Sequence, residues 1–526
     1  MRPLRPALLL LLSAACTKPA PPPPPPPTRL IIASTADVGG DTEPCGCKIR
    51  PLGGVARRVA ATLALGSSAL VLDAGDHFFA AEELDPRDEP QAIATAELLA
   101  DALAQTGARA MVVGERDLAL GLEPLQALAN RAKITLLGSN LLDTKSGTTA
   151  FSRGIILDQG GLRVGVLGIS APLGRGGGVP RSLERAGLSL DLPGPALIAS
   201  ASALRARGAT LIVALLHLPT ADARALLAEL PDPLVDLAIV GGDRIESPEP
   251  ELIPPGPAAM VLPGQRGKWI SVASLEVRSG SRGIELADAA GRAQASIAAI
   301  EQRIQEVKTP TRAVADREAL LSRLERRRDK LLLERQALKI GERHGLGLRL
   351  VAIDAQLPED AVFQARVSRY LEDLGRLNAD RQRRGGALQY LGSVACQKCH
   401  PAEYTEWRAT GHGRAFATLE RQKQSANLDC VPCHTTGFDR PGGPSSPKDL
   451  GPLADVGCEV CHGPGQRHVK TPTVALERPL EVSERVCREC HRDQADQKPF
   501  LYVERLARVL GPAHQVRPRQ GSAATP

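Results

Sequence analysis

Eight of the 11 cysteines fall into four copies of one pattern, Cys-x-x-Cys-His. The first copy is Cys396, Cys399 and His400, and the second is Cys430, Cys433 and His434. The third is Cys458, Cys461 and His462, and the fourth is Cys487, Cys490 and His491. Two thiols at this spacing can add to the two vinyl groups of a haem, and the next residue is then placed to ligate the iron. A zinc or redox pair would not need His directly after every second Cys. The pattern predicts four covalently bound c-type haems, with His400, His434, His462 and His491 as proximal ligands.

The sixth coordination positions must be filled from the remaining side chains. No Met follows Met260, so His/Met ligation from within the haem region is excluded. The other His residues are His77, His217, His344, His412, His468 and His514. Only His412, His468 and His514 lie among the motifs, so three distal candidates face four irons. That stoichiometry predicts three bis-His haems and one open site, unless His344 reaches in. Spacing alone leaves the pairing open. Bis-His ligation lowers the potential relative to His/Met, and such haems packed in one domain form a relay for single electrons.

Three cysteines are left. Cys16 follows Arg2, Arg5, an apolar run Ala7–Leu12 and the small residues Ser13–Ala15. This is the layout of an export signal, and it resembles a bacterial lipoprotein signal in which Cys16 becomes the lipidated first residue. Cys45 and Cys47 form a Cys-x-Cys pair. In an oxidising compartment this is either a disulfide or a thiolate metal or redox site. His77, next to Asp76, could join either arrangement, though a packing role is the first expectation.

The elements that must position these groups form separate blocks. Residues 1–15 are the signal peptide and 16–28 the lipidated Cys with a polyproline linker, which is extended and semi-rigid. Residues 29–283 alternate short aliphatic runs with amphipathic stretches, an α/β pattern. Strands are expected at 30–33, 69–72, 110–113, 134–137, 162–169, 210–216 and 237–240, with helices at 91–106 and 197–207. Residues 284–341 carry Ile297, Ile300, Ile304 and Val307 at helical spacing, then Leu320, Leu321, Leu324, Leu331 and Leu332 beyond Pro310. This predicts a helical hairpin spacer. Residues 342–389 read as a strand–helix connector, 390–516 as a mainly α multihaem domain and 517–526 as a disordered tail. Aromatic residues are only 2% of the 526, so aliphatic side chains and Ala must build the core.

The formal charge of +6 is spread along the chain and gives no reason to expect a nucleic-acid partner. Losing Arg2 and Arg5 and gaining roughly eight haem propionates brings the reduced holoprotein to about −4.

Residues 390–514 resemble the tetrahaem cytochromes c that accept electrons from hydroxylamine oxidation, and their multihaem relatives. The words that carry the resemblance are Tyr390–Cys396, Cys399–Trp407, Gly411–Phe416, Cys430–Gly437 and Val456–Gly465 with His468. The resemblance implies electron transfer, three bis-His haems and one five-coordinate haem. The nitrite reductases of the same broad group use a Cys-x-x-Cys-Lys site. None occurs here, so nitrite reduction is not expected.

Residues 29–280 resemble the calcineurin-like metallophosphoesterases, in particular the exported 5′-nucleotidase branch. The matching landmarks are Leu30–Asp37, Gly53–Arg58, Leu72–Asp76, Ser139–Leu141, Val164–Ile169, Leu215–His217 and Gly264–Trp269. The resemblance implies an α/β sandwich and a site for two divalent cations that activate a hydroxide. Asp37-Val-Gly39 stands where Asp-x-His belongs. Gly114-Glu115-Arg116-Asp117 replaces Gly-Asn-His-Asp/Glu, and Gly242-Asp243-Arg244-Ile245 replaces Gly-His-x-His. Asp37, Asp76 and His217 remain as ligands. Glu115 and Asp243 stand at ligand positions and could bind a hard cation, with Cys45 and Cys47 nearby in sequence.

The expectation is an exported, lipid-anchored tetrahaem electron carrier on the periplasmic side or the outer membrane. Its partners are periplasmic or outer-membrane redox proteins, and the membrane itself through the anchor. Two rivals remain. In one, the N-terminal site is a redox-linked hydrolase. In the other, that domain is a non-catalytic docking module.

Overall fold

The structure is a computed structural model that describes residues 26–44, 51–171, 178–230, 233–254, 258–308, 317–337, 341–476, 478, 482–491 and 500–514. The signal segment, Cys16, Cys45, Cys47 and the tail 517–526 lie outside the described residues.

Among the described residues, strands come in chain order as β1 (Thr28–Thr35), β2 (Leu70–Asp73), β3 (Ala108–Val112), β4 (Thr135–Leu137), β5 (Leu141–Asp143), β6 (Gly154–Gln159), β7 (Leu162–Ser170), β8 (Leu188–Leu190), β9 (Leu211–His217) and β10 (Leu237–Gly241). They continue as β11 (Glu251–Ile253), β12 (Ala258–Val261), β13 (Trp269–Val277), β14 (Ile284–Leu286) and β15 (His344–Ala352). One sheet runs β14-β15-β13-β1-β2-β3-β4 and the other β11-β12-β10-β9-β7-β6, while β5 and β8 form a separate pair. The seven strands expected from sequence are present within about two residues of their expected ends, as residue-level boundaries allow.

Strand alternation explains the layers. In β1, Leu30 and Ile32 point into the space between the sheets, where they meet Leu211, Val213 and Leu215 of β9. Ala33 and Val71 point the other way, onto helices. In β9 the even positions Ile212, Ala214 and Leu216 cover a third cluster. Strands covered on both faces read as unbroken aliphatic runs, which is why the sequence shows them.

Helices close the outer faces. They are α1 (Val55–Leu63), α2 (Glu89–Thr106), α3 (Leu122–Ala132), α4 (Arg181–Arg185), α5 (Pro193–Ala206) and α6 (Thr220–Ala228). The expected hairpin is α7 (Ala289–Lys308) against α8 (Arg317–Ala337), and Ile297, Ile304 and Val307 are buried in it. Pro310 lies outside the described residues. No helix among the described residues is long and apolar enough to cross a membrane.

The expected connector 342–389 is instead part of the N-terminal body. β15 pairs along its length with β13, which itself pairs with β1. Helix α9 (Ala361–Leu377) buries Phe363, Val367, Tyr370, Leu371 and Leu374 in the same core as α1 and α2. The hairpin is thus an excursion between two strands of one sheet. His344 opens β15, fully buried, and its Nδ1 accepts from Arg278 N at 3.2 Å. It belongs to the sheet and does not reach the haem region.

The haem segment is short helical turns and loops, joined to the N-terminal body by polar groups. Four amides, Gln91, Asn378, Gln424 and Asn427, are buried at the junction. Gln91 Nε2 donates to Asn427 Oδ1 at 2.9 Å, and Gln91 Oε1 accepts from Asn378 Nδ2 at 2.8 Å and Leu428 N at 3.0 Å. Around this network, Arg87 forms a fork onto Asp439 at 2.6 and 2.7 Å. Arg381, almost buried, holds Ser445 O and Asp88, and Arg384 holds Asp85.

A fully partnered buried network fixes one geometry, and removing one member leaves the others unpaired at about 1–3 kcal/mol each. The Gln91→Leu substitution is expected to loosen the two bodies from each other with all haems kept. Limited proteolysis should then cut faster between residues 378 and 390 than in the native chain.

Candidate functional site

Each Cys-x-x-Cys-His unit sits on about one helical turn. Cys399 N–H donates to Cys396 O, Cys433 N–H to Cys430 O and Cys490 N–H to Cys487 O, each at 3.2 Å. The His400 N–H donates to Cys396 O at 2.9 Å, and His491 N–H to Cys487 O at 2.8 Å. The turn carries both sulphurs and the imidazole on one side, as a shared haem requires. Cys399 and Cys490 are exposed, whereas Cys396, Cys430, Cys433, Cys458, Cys461 and Cys487 are half-buried. Vinyl addition needs each of these sulphurs as a thiol. All eight meet that condition, since none of them is in a disulfide. The second thiols of the second and fourth motifs, Cys433 and Cys490, lie at two different depths. Cys490 stands at the surface, and Cys433 is partly covered beside the buried Val431.

Two pairs of imidazoles face each other in the haem segment. The His400 and His468 rings have centroids 6.3 Å apart with planes 31° from parallel. The His412 and His491 rings are 6.1 Å apart at 34°. Two imidazoles bound through nitrogen to one central metal, each at about 2 Å, put their centroids roughly 6 Å apart. The residues present therefore fit iron between His400 and His468, and between His412 and His491. Supporting bonds fix several rings at Nδ1 and leave Nε2 for a metal. His434 donates to Ala415 O at 2.8 Å, His462 to Arg478 O at 2.9 Å and His468 to Val474 O at 2.7 Å. His514 Nδ1 meets Glu406 Oε2 at 3.0 Å. Burial lowers the pKa of His412 and His491, which favours the neutral form that binds metal.

The motifs abut one another. The Cys396 and Cys458 sulphurs lie within hydrogen-bonding reach, which places the first and third attachment points together. Cys461 and Cys487 are close enough to interact, linking the third motif to the fourth. His412 feels both His491 and His434, linking the fourth to the second. The second motif is the one against the N-terminal body, because Asn427 and Asp429 both bond Gln91.

Glu459 lies outside the residues that the motifs single out. It is 3% exposed inside the third motif and accepts from Gly392 N at 2.7 Å, Leu391 N at 2.9 Å and Gly465 N at 2.6 Å. A carboxylate taking three N–H groups pins the first motif's lead-in to the third. The sequence carries no distinct signal for it, since Glu489 also lies between two motif cysteines and is an exposed partner of Arg440 at 2.5 Å.

At the C-terminal ends of β1, β2 and β9, the structure gathers Asp37, Asp76 and His217. One ligand atom from each lies within 4.8 Å of the others, and all three residues are buried. Asp37 and Asp76 have φ of 49° and 56°, a left-handed backbone unusual for non-glycine residues. Asp117 holds the second loop in shape, accepting from Asp76 N, His77 N, Phe78 N and Gly114 N. Glu115 joins through His217 Nε2 at 2.9 Å, and His217 Nδ1 donates to Ala74 O at 2.9 Å. Burial opposes a charge on His217, but Asp76 and Glu115 outweigh it and raise its pKa well above the usual value. Asp243 is not in the cluster. It accepts from Thr220 N at 2.5 Å at the start of α6. His77 is buried with Nδ1 on Asp73 at 2.8 Å, a packing role.

The His400/His468 pairing gives a direct test. The His468→Ala substitution should leave about four haems per chain by pyridine haemochrome and add one high-spin ferric iron to the electron paramagnetic resonance spectrum. An unchanged spin state would remove His468 from the ligand set.

Residues 395–463 match the family described as cytochrome c554 and c-prime. A stretch of 94 residues is 39% identical to cytochrome c-554 of Nitrosomonas europaea, covering 15% of this chain and 39% of that protein. Solved structures similar to the larger part of the chain include a 5′-nucleotidase precursor from Thermus thermophilus, with a TM-score of 0.44, 18% identity and coverage of 70% of this chain and 63% of that one. A sulfate thiohydrolase from Thermus thermophilus has a TM-score of 0.47 at 17% identity, covering 66% of this chain and 61% of that one. In each comparison the chain spans less than two thirds of the relative's length. The family match covers the first three of the four Cys-x-x-Cys-His motifs, and this part of the chain is similar to the c-type cytochromes of the c554 and c-prime kind.

Proposed function

We propose that the chain is an exported tetrahaem cytochrome c that relays single electrons, tethered to a membrane through Cys16 and the polyproline linker. The reading rests above all on the two imidazole pairs, His400/His468 and His412/His491, at centroid spacings of 6.3 and 6.1 Å. Bound haem iron supplies reversible one-electron chemistry at low potential when both axial ligands are imidazole. The chain's part is to hold four porphyrins through eight sulphurs, Cys433 and Cys490 among them, and to bring the motifs into contact. Nδ1 bonds to backbone carbonyls fix the imidazoles. The contacts run from the first motif to the third, the fourth and the second, a continuous order for hopping. With two pairs formed, His514 serves one of His434 and His462, and the other is left open. Partners on this reading are redox proteins of the periplasmic side or outer membrane, not nucleic acid.

A second reading is favoured by one observation, the Asp37/Asp76/His217 cluster. It makes the N-terminal domain a redox-linked hydrolase.

One preparation tests both. The holoprotein is expected to contain about four Fe per chain. Fully reduced, it should deliver about four electrons to a small-molecule oxidant in stopped-flow and show no turnover on a phosphoester panel with Mn²⁺. Fewer than four electrons per chain would sink the relay. Turnover that is lost in Asp76→Asn would instead establish the hydrolase.

A further inference from the structure

The resemblance to metallophosphoesterases implies divalent cations held by Asp37, Asp76 and His217. The donor set does not fit them, because another cation is already built in. Arg116 N donates to Asp76 Oδ1 at 2.8 Å, and its Nε donates to Asp76 Oδ2. Its Nη2 donates to Asp37 Oδ1 at 2.8 Å. The remaining oxygen, Asp37 Oδ2, accepts from Gly242 N at 2.9 Å. All four carboxylate oxygens are thus taken by N–H groups of the chain itself. His217 Nε2, the third ligand atom, is turned to Glu115 Oε2 at 2.9 Å and to Asp76 Oδ2 at 3.5 Å.

We infer that the guanidinium of Arg116 is the permanent cation of this site, standing where the family's motifs would place metal, and that it excludes divalent ions. The substitutions that look like losses are complementary. Gly39 lies where the first motif would carry its His. A Cβ there would sit 2.9 Å from Arg116 Nη1, so the glycine opens the space that the guanidinium needs. Arg116 arises at the position of the lost motif His and reaches back between the two aspartates. The charges also oppose one another. Asp37 and Asp76 pair directly with Arg116, Glu115 lies 3.9 Å from its Nε, and Arg244 lies near enough to feel Arg116 and all three acids. A guanidinium is always charged and its planar fork matches carboxylates. A divalent ion could enter only by breaking a buried ion pair, which leaves an uncompensated charge.

The test uses full-length holoprotein incubated with Mn²⁺, desalted and analysed for Mn and Fe per chain, with thermal melting as a second readout. The native chain is expected to retain no Mn and to show no change of Tm. Arg116→Ala is expected to melt lower, to take up Mn and to recover Tm on adding it, since a ligand that binds only the folded state stabilises it. Arg116→Lys keeps a cation and is expected to stay metal-free. Stoichiometric Mn in the native chain that is lost in Asp76→Asn would overturn the inference. So would an Arg116→Ala chain that keeps its native Tm and binds nothing, or an Arg116→Lys chain that loads metal. If Arg116→Ala fails to accumulate, the native and Lys chains still decide. These readouts do not depend on electron transfer, so failure here leaves the relay reading standing.

Discussion

The described residues of 390–514 bury only a small apolar core, and most of the architecture follows from that constraint. Their cluster of buried apolar side chains is Leu419, Val431, Phe438 and Leu450, with a few neighbours packed against it. Apolar burial at about 25 cal/mol per Å² is the main favourable term in folding, and so small a cluster supplies little of it. Covalent porphyrins add apolar surface that the sequence lacks. The rest comes from polar anchors such as Glu459 and from docking on a large, well-packed α/β body. The junction is accordingly hydrogen-bonded rather than greasy. Gln91 uses both ends of its amide across it, and arginines on the N-terminal side clamp the loop around Asp439. Such an interface gives orientation more than affinity.

The α/β body can serve as that platform only if its own polar end is quiet. The loops after β1 and β2 carry two buried aspartates in strained, left-handed backbone, held there by Asp117 and by N–H groups of neighbouring loops. Two carboxylates this close need a positive partner, since buried charge without one is costly. An arginine supplied by the next strand's loop meets that need without any ion from solution. The same geometry that would otherwise hold cations is thereby kept as a structural ion pair.

Legibility in the sequence follows the range of the interaction. The haem motifs are readable because the chemistry demands contiguous residues on one turn, as from Cys430 to Cys433 or Cys487 to Cys490. The central strands are readable because burial on both faces writes unbroken aliphatic runs. That β13 and β15 share one sheet is not readable, because their pairing is across distant chain and leaves no local mark. Helix α9 shows its amphipathic face plainly, yet nothing in that face says whether it packs on the body before it or the domain after it. Asp243 stands at a ligand position by alignment of motifs, but the start of α6, the helix before its own strand β10, claims its carboxylate. The distal histidines can be counted and not paired, since pairing depends on where each short helix lies. Arg116 is visible as a motif lost. Only the tertiary arrangement shows that the new side chain fills the space the old one left.

The order of contacts gives the haem segment two unlike ends. The second motif is pressed against the N-terminal body through Asn427 and Asp429. At the first motif, Cys399 and His400 are exposed. Exchange with a diffusing partner needs a haem edge near the surface, whereas an end buried against a rigid body is shielded from the same partner. The asymmetry follows from the anchors. Because Gln91 ties down the loop before Cys430 and Glu459 ties the first motif to the third, the segment cannot roll to present its ends interchangeably. Which end of the segment faces outward is therefore a property of how the domain is fastened.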